Sequence, residues 1–327
     1  MTTAMGIDIG YRQVKAVKGS KQIVFPSSVA PAKTFAVESI GKIEEFLVKI
    51  KPEFENEMKE YFVGDLAERE ALSSVISQSD RVKHLDATHD VLVMTAARLL
   101  LTDSMPDVVV VGLPISYYRS QKVDLEAKIK SLNHRVSVDK QKATLINFNK
   151  VVVFPQGSGA LMTIDDLRQN GTVCLIDIGM KTTDCVVVRM ENAKMMPVAS
   201  LCVSVELGVK DFYDSVGHYY EVKTGSAPNF LRVLEVVERN GKVMFDRADI
   251  DLSHEIKLAR AEIQHSIVDR VKNALAEVWS ELDEVYLAGG GADVFYTIDE
   301  TMGARKIKEP VWANARGFAK IGQAQVV

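Results

Sequence analysis

Residues 172–189 read Thr-Val-Cys-Leu-Ile-Asp-Ile-Gly-Met-Lys-Thr-Thr-Asp-Cys-Val-Val-Val-Arg. Two runs rich in β-branched residues, 173–178 and 185–188, flank a polar turn of the length that β-hairpins use. Asp177 stands at the end of the first run, and Gly179 opens a turn that offers backbone N–H groups, hydroxyls and one lysine. The pattern predicts a hairpin whose turn can hold a phosphate and its metal ion.

A second stretch of the chain repeats this pattern. Residues 5–17 read Met-Gly-Ile-Asp-Ile-Gly-Tyr-Arg-Gln-Val-Lys-Ala-Val, again Ile-Asp-Ile-Gly before a polar turn and an alternating return strand. About half of the 327-residue chain separates Asp8 from Asp177. Two unrelated turns are the alternative, because apolar-Asp-apolar-Gly is common at strand ends. The repeat favours a duplicated α/β domain whose two loops face each other across a cleft.

The composition is that of a globular protein. With 47% hydrophobic and 26% charged residues, the chain is long enough for two domains and a sizeable core. The net charge of −4 provides no basic surface, so we expect no direct nucleic-acid binding. No apolar run approaches the ~20 residues of a membrane span, and residues 1–5 lack a signal-peptide pattern. We therefore expect a cytoplasmic protein without membrane association.

Three cysteines, Cys174, Cys185 and Cys202, lack the spacing of a metal site. Cys174 and Cys185 fall in the two runs of the hairpin, where they could be neighbours. We interpret all three as reduced and buried small apolar residues of a cytosolic protein.

Apolar periodicity predicts further strands and helices along the chain. The hydrophilic stretch 38–60 contains apolar runs that are too short for a core, and it predicts an insertion or small subdomain on the rim, with its charges on a solvated surface. The predicted strands lie at 21–26, 61–63, 107–114, 151–154, 199–205 and 284–288, and the predicted helices at 90–101, 122–132, 208–220, 253–282 and 312–322.

Two glycine-containing loops add candidate site residues. Pro155-Gln-Gly-Ser-Gly-Ala precedes a predicted helix; plain turn chemistry would explain it, but Gln156 would project into the space between the two hairpins. A water must be positioned there if a phosphate is hydrolysed. Three consecutive glycines, 289–291, follow the strand at 284–288 and would let the backbone approach a ligand closely.

Five segments in this order resemble the signature of the actin-like ATPases. They are a first phosphate loop (6–15), a first connecting helix (155–160), a second phosphate loop (175–184), an adenosine loop (287–292) and a second connecting helix (314–318). Within that superfamily the chain resembles the ParM group of prokaryotic actin-like proteins, including its archaeal relatives. The features that carry this resemblance are Ile-Asp-Ile-Gly-Tyr with Val-Lys, Phe-Pro-Ser at Phe25, Gly-Leu-Pro at Gly112 and Pro-Gln-Gly-Ser-Gly-Ala.

The resemblance implies an α/β fold of two duplicated ribonuclease-H-like domains around a nucleotide cleft. Domain I would comprise residues 1–155, with a small rim insertion at about 38–90, and would be completed by a C-terminal helix at 311–327. Domain II would comprise residues 156–310. The group further implies ATP with Mg²⁺ (GTP being the alternative nucleotide), hydrolysis coupled to filament turnover, and segregation of plasmid or other DNA through a DNA-binding adaptor protein.

The resemblance also implies roles for particular residues. Asp8 and Asp177 would hold a hydrated Mg²⁺, which needs only one or two carboxylates. Gln156 and Asp177 would be catalytic; several relatives have a glutamate at the position of Gln156, and an amide would orient water rather than deprotonate it. The β- and γ-phosphates would contact Gly10, Tyr11, Lys15, Gly179, Lys181, Thr182 and Thr183, and the adenosine side would contact Gly289, Gly290 and Gly291. Lys257 and Arg260 either flank the adenine or are exposed to solvent.

Two other classes of protein share the phosphate loops. A small-molecule kinase of the same superfamily is the main alternative, but it needs a catalytic Asp near a substrate pocket, and many such kinases are longer or carry a Cys-rich zinc motif. A chaperone or a cell-division adaptor would need a substrate-binding domain or a membrane-binding tail. The sequence given shows neither feature, which favours the filament-forming ATPase.

Overall fold

The computed structural model describes residues 3–33, 46–54, 57–70, 76–77, 82–101 and 105–325. Its chain divides into two compact units, unit 1 (Met1–Asp165 with Trp312–Val327) and unit 2 (Asp166–Val311). In the described residues the strands are β1 (Ala4–Ile9), β2 (Gln13–Lys18), β3 (Lys21–Pro26), β4 (Ser28–Pro31), β5 (Leu47–Pro52), β6 (Lys59–Val63), β7 (Ile76–Ser77), β8 (Val108–Leu113), β9 (Asn133–Val138), β10 (Thr144–Asn147), β11 (Lys150–Pro155), β12 (Gly171–Ile178), β13 (Thr183–Glu191), β14 (Lys194–Pro197), β15 (Val203–Val205), β16 (Lys242–Phe245), β17 (Ala248–Asp251), β18 (Glu284–Ala288) and β19 (Arg305–Lys306).

The helices complete the set of elements. Over the same described ranges they are α1 (Asp65–Glu70), α2 (Ala87–Leu100), α3 (Ile115–Ser131), α4 (Ser158–Leu161), α5 (Val209–Thr224), α6 (Phe230–Glu238), α7 (Ser253–Ala274), α8 (Gly291–Val294), α9 (Ile298–Met302) and α10 (Ala313–Ala324). Both predicted hairpins are confirmed, because β1 pairs antiparallel with β2 and β12 pairs antiparallel with β13.

Unit 1 contains two sheets. The first has the strand order β11-β8-β1-β2-β3, with β1 and β8 parallel, and the second has the order β10-β9-β5-β6-β4-β7. The run Val108–Val111 in β8 is buried, as expected for a strand covered on both faces. Helix α2 contacts strands of both sheets, and its Leu92, Val93 and Met94 are fully buried. The apolar core of unit 1 therefore surrounds α2.

Part of the predicted rim insertion belongs to this core. Strand β5 pairs with β6 and β9, and its Val48 and Ile50 are buried in the main cluster of unit 1. The expectation that residues 38–60 contribute no core was therefore wrong for β5, because strict alternation needs only every second residue to be apolar. Residues 38–45, 55–56, 71–75 and 78–81 of the predicted insertion lie outside the described residues.

The boundary between the units follows the packing of α4. We expected the first division at residues 155–156, whereas unit 1 continues to Asp165. Helix α4 contacts α10, and a Cβ placed on Gly317 of α10 would lie only 1.8 Å from the carbonyl oxygen of Gly159 in α4. This backbone-to-backbone approach keeps the segment after β11 in unit 1.

Unit 2 is built on one larger sheet and a separate hairpin. The sheet has the order β14-β13-β12-β18-β19, with β15 also paired to β13, and the separate hairpin is β16 with β17. Its core combines the sheet residues Ile176 and Val187 with Phe212 of α5 and Ile256 of α7. Cys174 and Cys185 are buried free thiols on β12 and β13, but they are not directly opposite each other, because Cys174 pairs with Val187.

The longest predicted helix is shorter than its apolar pattern. Residues Ile256, Ala259, Ile267 and Val271 are buried on one face of α7, as predicted. The helix ends at Ala274, however, and the chain continues through a turn in which Val278, Trp279 and Leu282 still pack against the core. Contact with the core, rather than continued helix, thus accounts for the last part of the periodicity.

Candidate functional site

The first loop, residues 9–13, comprises the turn between β1 and β2 together with the last residue of β1 and the first residue of β2. Asp8 lies opposite Lys15 in the hairpin register and is 5% exposed. The N–H of Gly10 donates to the carbonyl of Gln13 at 3.1 Å, and this bond closes the turn. A Cβ placed on Gly10 would lie 3.7 Å from Nζ of Lys15, so the lysine ammonium lies beside the loop. A buried carboxylate and a cation therefore lie at the same end of β1.

Gln156 reaches this carboxylate from the end of β11. Its backbone N–H donates to the carbonyl of Leu113 at 2.8 Å, and its Nε2 donates to Oδ1 of Asp8 at 2.7 Å. An ionised carboxylate only accepts hydrogen bonds, so the contact fixes which branch of the amide is the donor. The Oε1 atom is then the branch that can accept a hydrogen bond from water. The structure thus brings together Gln156 and Asp8, two of the residues predicted for the site.

Helix α10 supports the first loop through glycines. A Cβ placed on Gly6 of β1 would lie 2.2 Å from the carbonyl oxygen of Ala315, so only a glycine fits at this crossing. Asn314 accepts a hydrogen bond from the N–H of Gly157 at 2.9 Å. The closing helix packs tightly against α4, where Gly317 meets the backbone of Gly159.

Lys83 is a residue of this region that the sequence analysis missed. It opens a 3₁₀ turn before α2, is 2% exposed, and its Nζ donates to the carbonyl of Ile9 at 2.6 Å. The predicted rim insertion at about 38–90 includes Lys83, and its charges are expected on a solvated surface. Lys83 instead places a buried ammonium against the residue that follows Asp8.

The second loop, residues 179–182, joins β12 to β13. Its Gly179 N–H donates to the carbonyl of Thr182 at 2.8 Å, which closes the turn as Gly10 does in unit 1. The carbonyls of Gly179 and Met180 accept from the N–H groups of Val209 and Lys210, at 3.1 and 2.8 Å. The loop is therefore attached to the first turn of α5.

The threonines of the second hairpin face different surroundings. Thr183 is fully buried, and its Oγ1 donates to the carbonyl of Leu207 at 2.9 Å. Its hydroxyl thus serves the interior of unit 2, whereas we expected it to contact a phosphate. Thr182 and Lys181 are half-buried on the turn itself. Of the predicted phosphate contacts in this hairpin, Gly179, Lys181 and Thr182 are the ones placed on the turn.

Asp177 has a second carboxyl group opposite it. Asp177 pairs with Asp184 across the hairpin, and the two are 7% and 3% exposed. Burial, and after it the charge of the nearby Asp177, raises the pKa of Asp184 to about 7. Asp184 belongs to the second phosphate loop (175–184) but was not predicted as a site residue.

The glycine turn, residues 289–291, lies against Asp177. Gly289 has φ +81°, and a Cβ on it would lie 2.3 Å from Oδ1 of Asp177 and 2.4 Å from the carbonyl oxygen of Ile178. A Cβ on Gly291 would lie 2.1 Å from Cγ2 of Ile178, whereas a Cβ on Gly290 meets nothing within 4 Å. The outer two glycines are therefore required by packing, and the middle one faces open space.

Arg260 and Lys257 of α7 differ in their surroundings. The guanidinium of Arg260 lies over the ring of Tyr296, 4.3 Å from its centroid, and 5.2 Å from the ring centroid of Phe212. Lys257 is exposed. Arg260 is thus held between two aromatic rings, and solvent exposure describes only Lys257.

Each unit offers a carboxylate of the kind that binds a hydrated metal ion. Asp8 in unit 1 and Asp177 in unit 2 are both buried at the end of a strand, and Mg²⁺ keeps several waters while taking one or two carboxylates. Within the described ranges, no group of three or more His, Cys, Asp or Glu side chains could hold a metal by itself.

No helix in those ranges is both long and apolar enough to cross a membrane.

Two protein-family models match the chain. A model described as the N-terminal domain of actin-like proteins matches residues 6–159, within unit 1. A model described as the C-terminal domain of the archaeal MreB-like actin homologue matches residues 175–300, within unit 2. Among curated protein sequences, none matches the chain.

Solved structures are similar over the whole length of the chain. A 15-stranded ParM filament from Clostridium botulinum is 28% identical, with a TM-score of 0.87 and 99% of both chains covered. A non-polymerisable quadruple mutant of pCBH ParM is 27% identical, with a TM-score of 0.87 over 99% of this chain and 100% of that one. An archaeal actin homologue in complex with ADP is 19% identical, with a TM-score of 0.79 over 99% and 100%. At that last identity the likeness concerns the fold.

Proposed function

We propose that this chain, an actin-like protein similar to ParM over its whole length, is a filament-forming ATPase. Its fold is actin-like, with mixed α/β content and a sheet-containing domain in each unit. In this proposal the chain binds ATP with Mg²⁺, assembles with copies of itself, and hydrolyses ATP to control how long the filaments last.

The repeated loop is the observation that carries the proposal. Each unit contains a hairpin in which a buried aspartate precedes a glycine turn, and each turn is closed by the glycine N–H. In unit 1 the turn has Lys15 beside it, and in unit 2 it presents Lys181 and Thr182. Carboxylates for a metal, cations and backbone donors are the groups that bind a nucleoside triphosphate.

We assign Asp8 and Asp177 to the metal. When bound, Mg²⁺ would neutralise charge on the phosphate oxygens and thereby favour attack by water. The amide of Gln156 orients that water through Oε1, because its Nε2 is held by Asp8 at 2.7 Å. A neutral amide does not take up the proton of the water, so we expect slow hydrolysis that depends on how well the water is positioned. Gly289, Gly290 and Gly291 are assigned to the adenosine side.

We infer self-assembly from similar solved structures, and not from a binding site described in this structure. One similar structure is a ParM filament and another is a ParM mutant described as non-polymerisable, which supports self-association here. The net charge of −4 does not favour direct binding to DNA, so we propose that an adaptor protein would link the filament to plasmid or other DNA in the cytoplasm.

The proposal is tested by Asp177→Ala. With Mg-ATP, we expect the parent to release phosphate and to form filaments visible by electron microscopy. The variant should release phosphate at least about a hundredfold more slowly, since it lacks a carboxylate that holds the metal. Asp214→Ala is the matched control, because Asp214 is a 61% exposed carboxylate on the surface of α5 that pairs with Lys210.

The results separate the parts of the proposal. Hydrolysis by Asp177→Ala at the parental rate would show that the metal assignment is wrong. A parent that transfers phosphate from ATP to sugars or acetate, and forms no filaments, would identify a small-molecule kinase instead.

A further inference from the structure

Lys83 places a positive charge at the backbone of the first loop. Its Nζ donates to the carbonyl of Ile9 and lies 5.4 Å from the ring centroid of Tyr11. Its backbone N–H donates to Oε1 of the buried Gln121 in α3, at 3.1 Å. The residue is thus held at both ends, by α3 at its backbone and by the first loop at its ammonium.

This contact fixes the direction of a loop N–H group. A carbonyl and the N–H of the next residue belong to one planar peptide and point in opposite directions. By holding the carbonyl of Ile9, Lys83 directs the N–H of Gly10 toward Gln13, where the turn is closed. Ser27 acts in the same way one residue later, because its Oγ donates to the carbonyl of Gly10 at 2.6 Å. Two side chains from other parts of unit 1 therefore set the loop backbone.

Packing alone does not call for a charged residue at this position. Removing an ammonium from water costs several kcal/mol in real proteins, whereas a methionine of similar length would fill the space without that cost. Ser27 shows that a neutral donor suffices to hold a loop carbonyl. The positive charge also acts at His89, which is fully buried: burial lowers the pKa of this imidazole, and the charge of Lys83 lowers it further.

We propose that Lys83 is a positioning residue of the nucleotide site, which orients the first loop and adds a positive charge that favours phosphate-bearing ligands. This inference rests on the proposed function, since it takes the first loop to bind the phosphates of a nucleotide. Lys83 acts on the site through the backbone of Ile9 and Gly10, and through the electrostatic field of its positive charge.

The experiment is calorimetry of the full chain with ATP, ADP and adenosine in the presence of Mg²⁺. Lys83→Met removes the charge and the donor, and Lys83→Gln removes the charge but keeps a donor. Both should weaken ATP binding about tenfold or more while leaving adenosine binding within about twofold, as expected when a charge-assisted hydrogen bond is lost. Lys83→Arg, which keeps the positive charge, should bind ATP nearly as tightly as the parent does. Raising the salt concentration should weaken ATP binding less in Lys83→Gln than in the parent.

Lys122→Met is the matched control. Nζ of Lys122 lies 5.4 Å from the ring centroid of Tyr118 on α3, which reproduces the cation–ring distance of Lys83 away from the loop. This variant should bind ATP as the parent does. If Lys83→Met does not fold, as judged by circular dichroism, Lys83→Gln decides.

The outcomes distinguish the role of Lys83 from the proposed function of the whole chain. An unchanged ratio of ATP to adenosine affinity in Lys83→Gln, in a chain whose parent binds ATP, would overturn the role of Lys83 alone. Equal losses for ATP and adenosine would show a merely structural role and would also overturn it. A parent that binds neither ATP nor ADP would overturn the proposed function and this inference together.

Discussion

The two hairpin loops have the same local design and different surroundings. Asp8 and Asp177 both lie at the end of a buried strand, next to a glycine whose N–H closes the turn. The residue opposite the carboxylate in the hairpin register is Lys15 in unit 1 and Asp184 in unit 2, and in unit 1 the amide of Gln156 also donates to Asp8. The short motif therefore sets where the carboxylate lies, and distant parts of the chain set its electrostatic environment.

The supports beneath the two loops also differ. In unit 1, helix α10 crosses β1 and α4 at Gly6 and Gly317, so the support comes from the far end of the chain. In unit 2, Gly289 and Gly291 place the turn after β18 directly against Asp177 and Ile178. Glycine serves the same purpose at both supports, because each is a place where a Cβ would overlap its neighbour.

The largest effect is expected from Gly317→Ala. The added Cβ would lie 1.8 Å from the carbonyl oxygen of Gly159, and both groups belong to backbone that cannot rotate away. We expect the free energy of unfolding of unit 1 to fall by about 3 kcal/mol or more, the upper range for overpacking. Urea denaturation followed by Trp312 fluorescence, in a Trp279→Phe background, reports on unit 1 because Trp312 belongs to it.

Gly290→Ala is the matched control from the other support. Gly290 has helical backbone angles and no atom within 4 Å of an added Cβ, so we expect a change within about 0.5 kcal/mol. Equal tolerance of Gly317→Ala and Gly290→Ala would contradict the account of the two glycine supports.

Acid affects the two units with opposite signs, and by less per pH unit than the change expected for Gly317→Ala. His89 of unit 1 has a pKa well below 6.5, so only the unfolded state takes up its proton as the pH falls below 6.5, and stability decreases. Asp184 of unit 2 has a pKa of about 7, raised from 3.8, so the folded state takes up the proton first, and stability increases between pH 7 and 4. Each slope is at most about 1.4 kcal/mol per pH unit.

Single-tryptophan variants measure this difference without nucleotide or metal. Trp312 reports on unit 1 and Trp279 on unit 2, because each unit contains one of them. His89→Leu should flatten the acid response of unit 1, and Asp184→Asn that of unit 2. If the stability of both units changes with pH in the same direction, the predicted difference between the two units is wrong.

The sequence predicted the elements that repeat or that carry continuous apolar runs. Both hairpins, β8, β11, β18 and α10 follow from local pattern, whereas the contact of Gln156 with Asp8 was not predicted. The pattern was misleading where distant packing decides. Helix α7 stops at Ala274 although its apolar period continues to Leu282, and β5 is part of the core although its segment is hydrophilic.

The residues that were missed act through contacts that sequence spacing does not show. Lys83 lies in a polar stretch, and nothing near it indicates that its ammonium is buried at Ile9. Asp184 and Thr183 carry a better signal, because the hairpin register puts Asp184 opposite Asp177 and turns Thr183 toward the interior. Counting residues across the second hairpin would have identified the carboxyl pair.

The most direct test of the account is light scattering recorded together with phosphate release, on the parent and Gln156→Ala in Mg-ATP. We expect Gln156→Ala to assemble into filaments as the parent does, because the residues assigned to the metal and phosphates are intact. We also expect slower phosphate release and longer-lived filaments, since the amide that orients water is gone. A variant that fails to assemble, or that releases phosphate and disassembles as fast as the parent, would contradict the account.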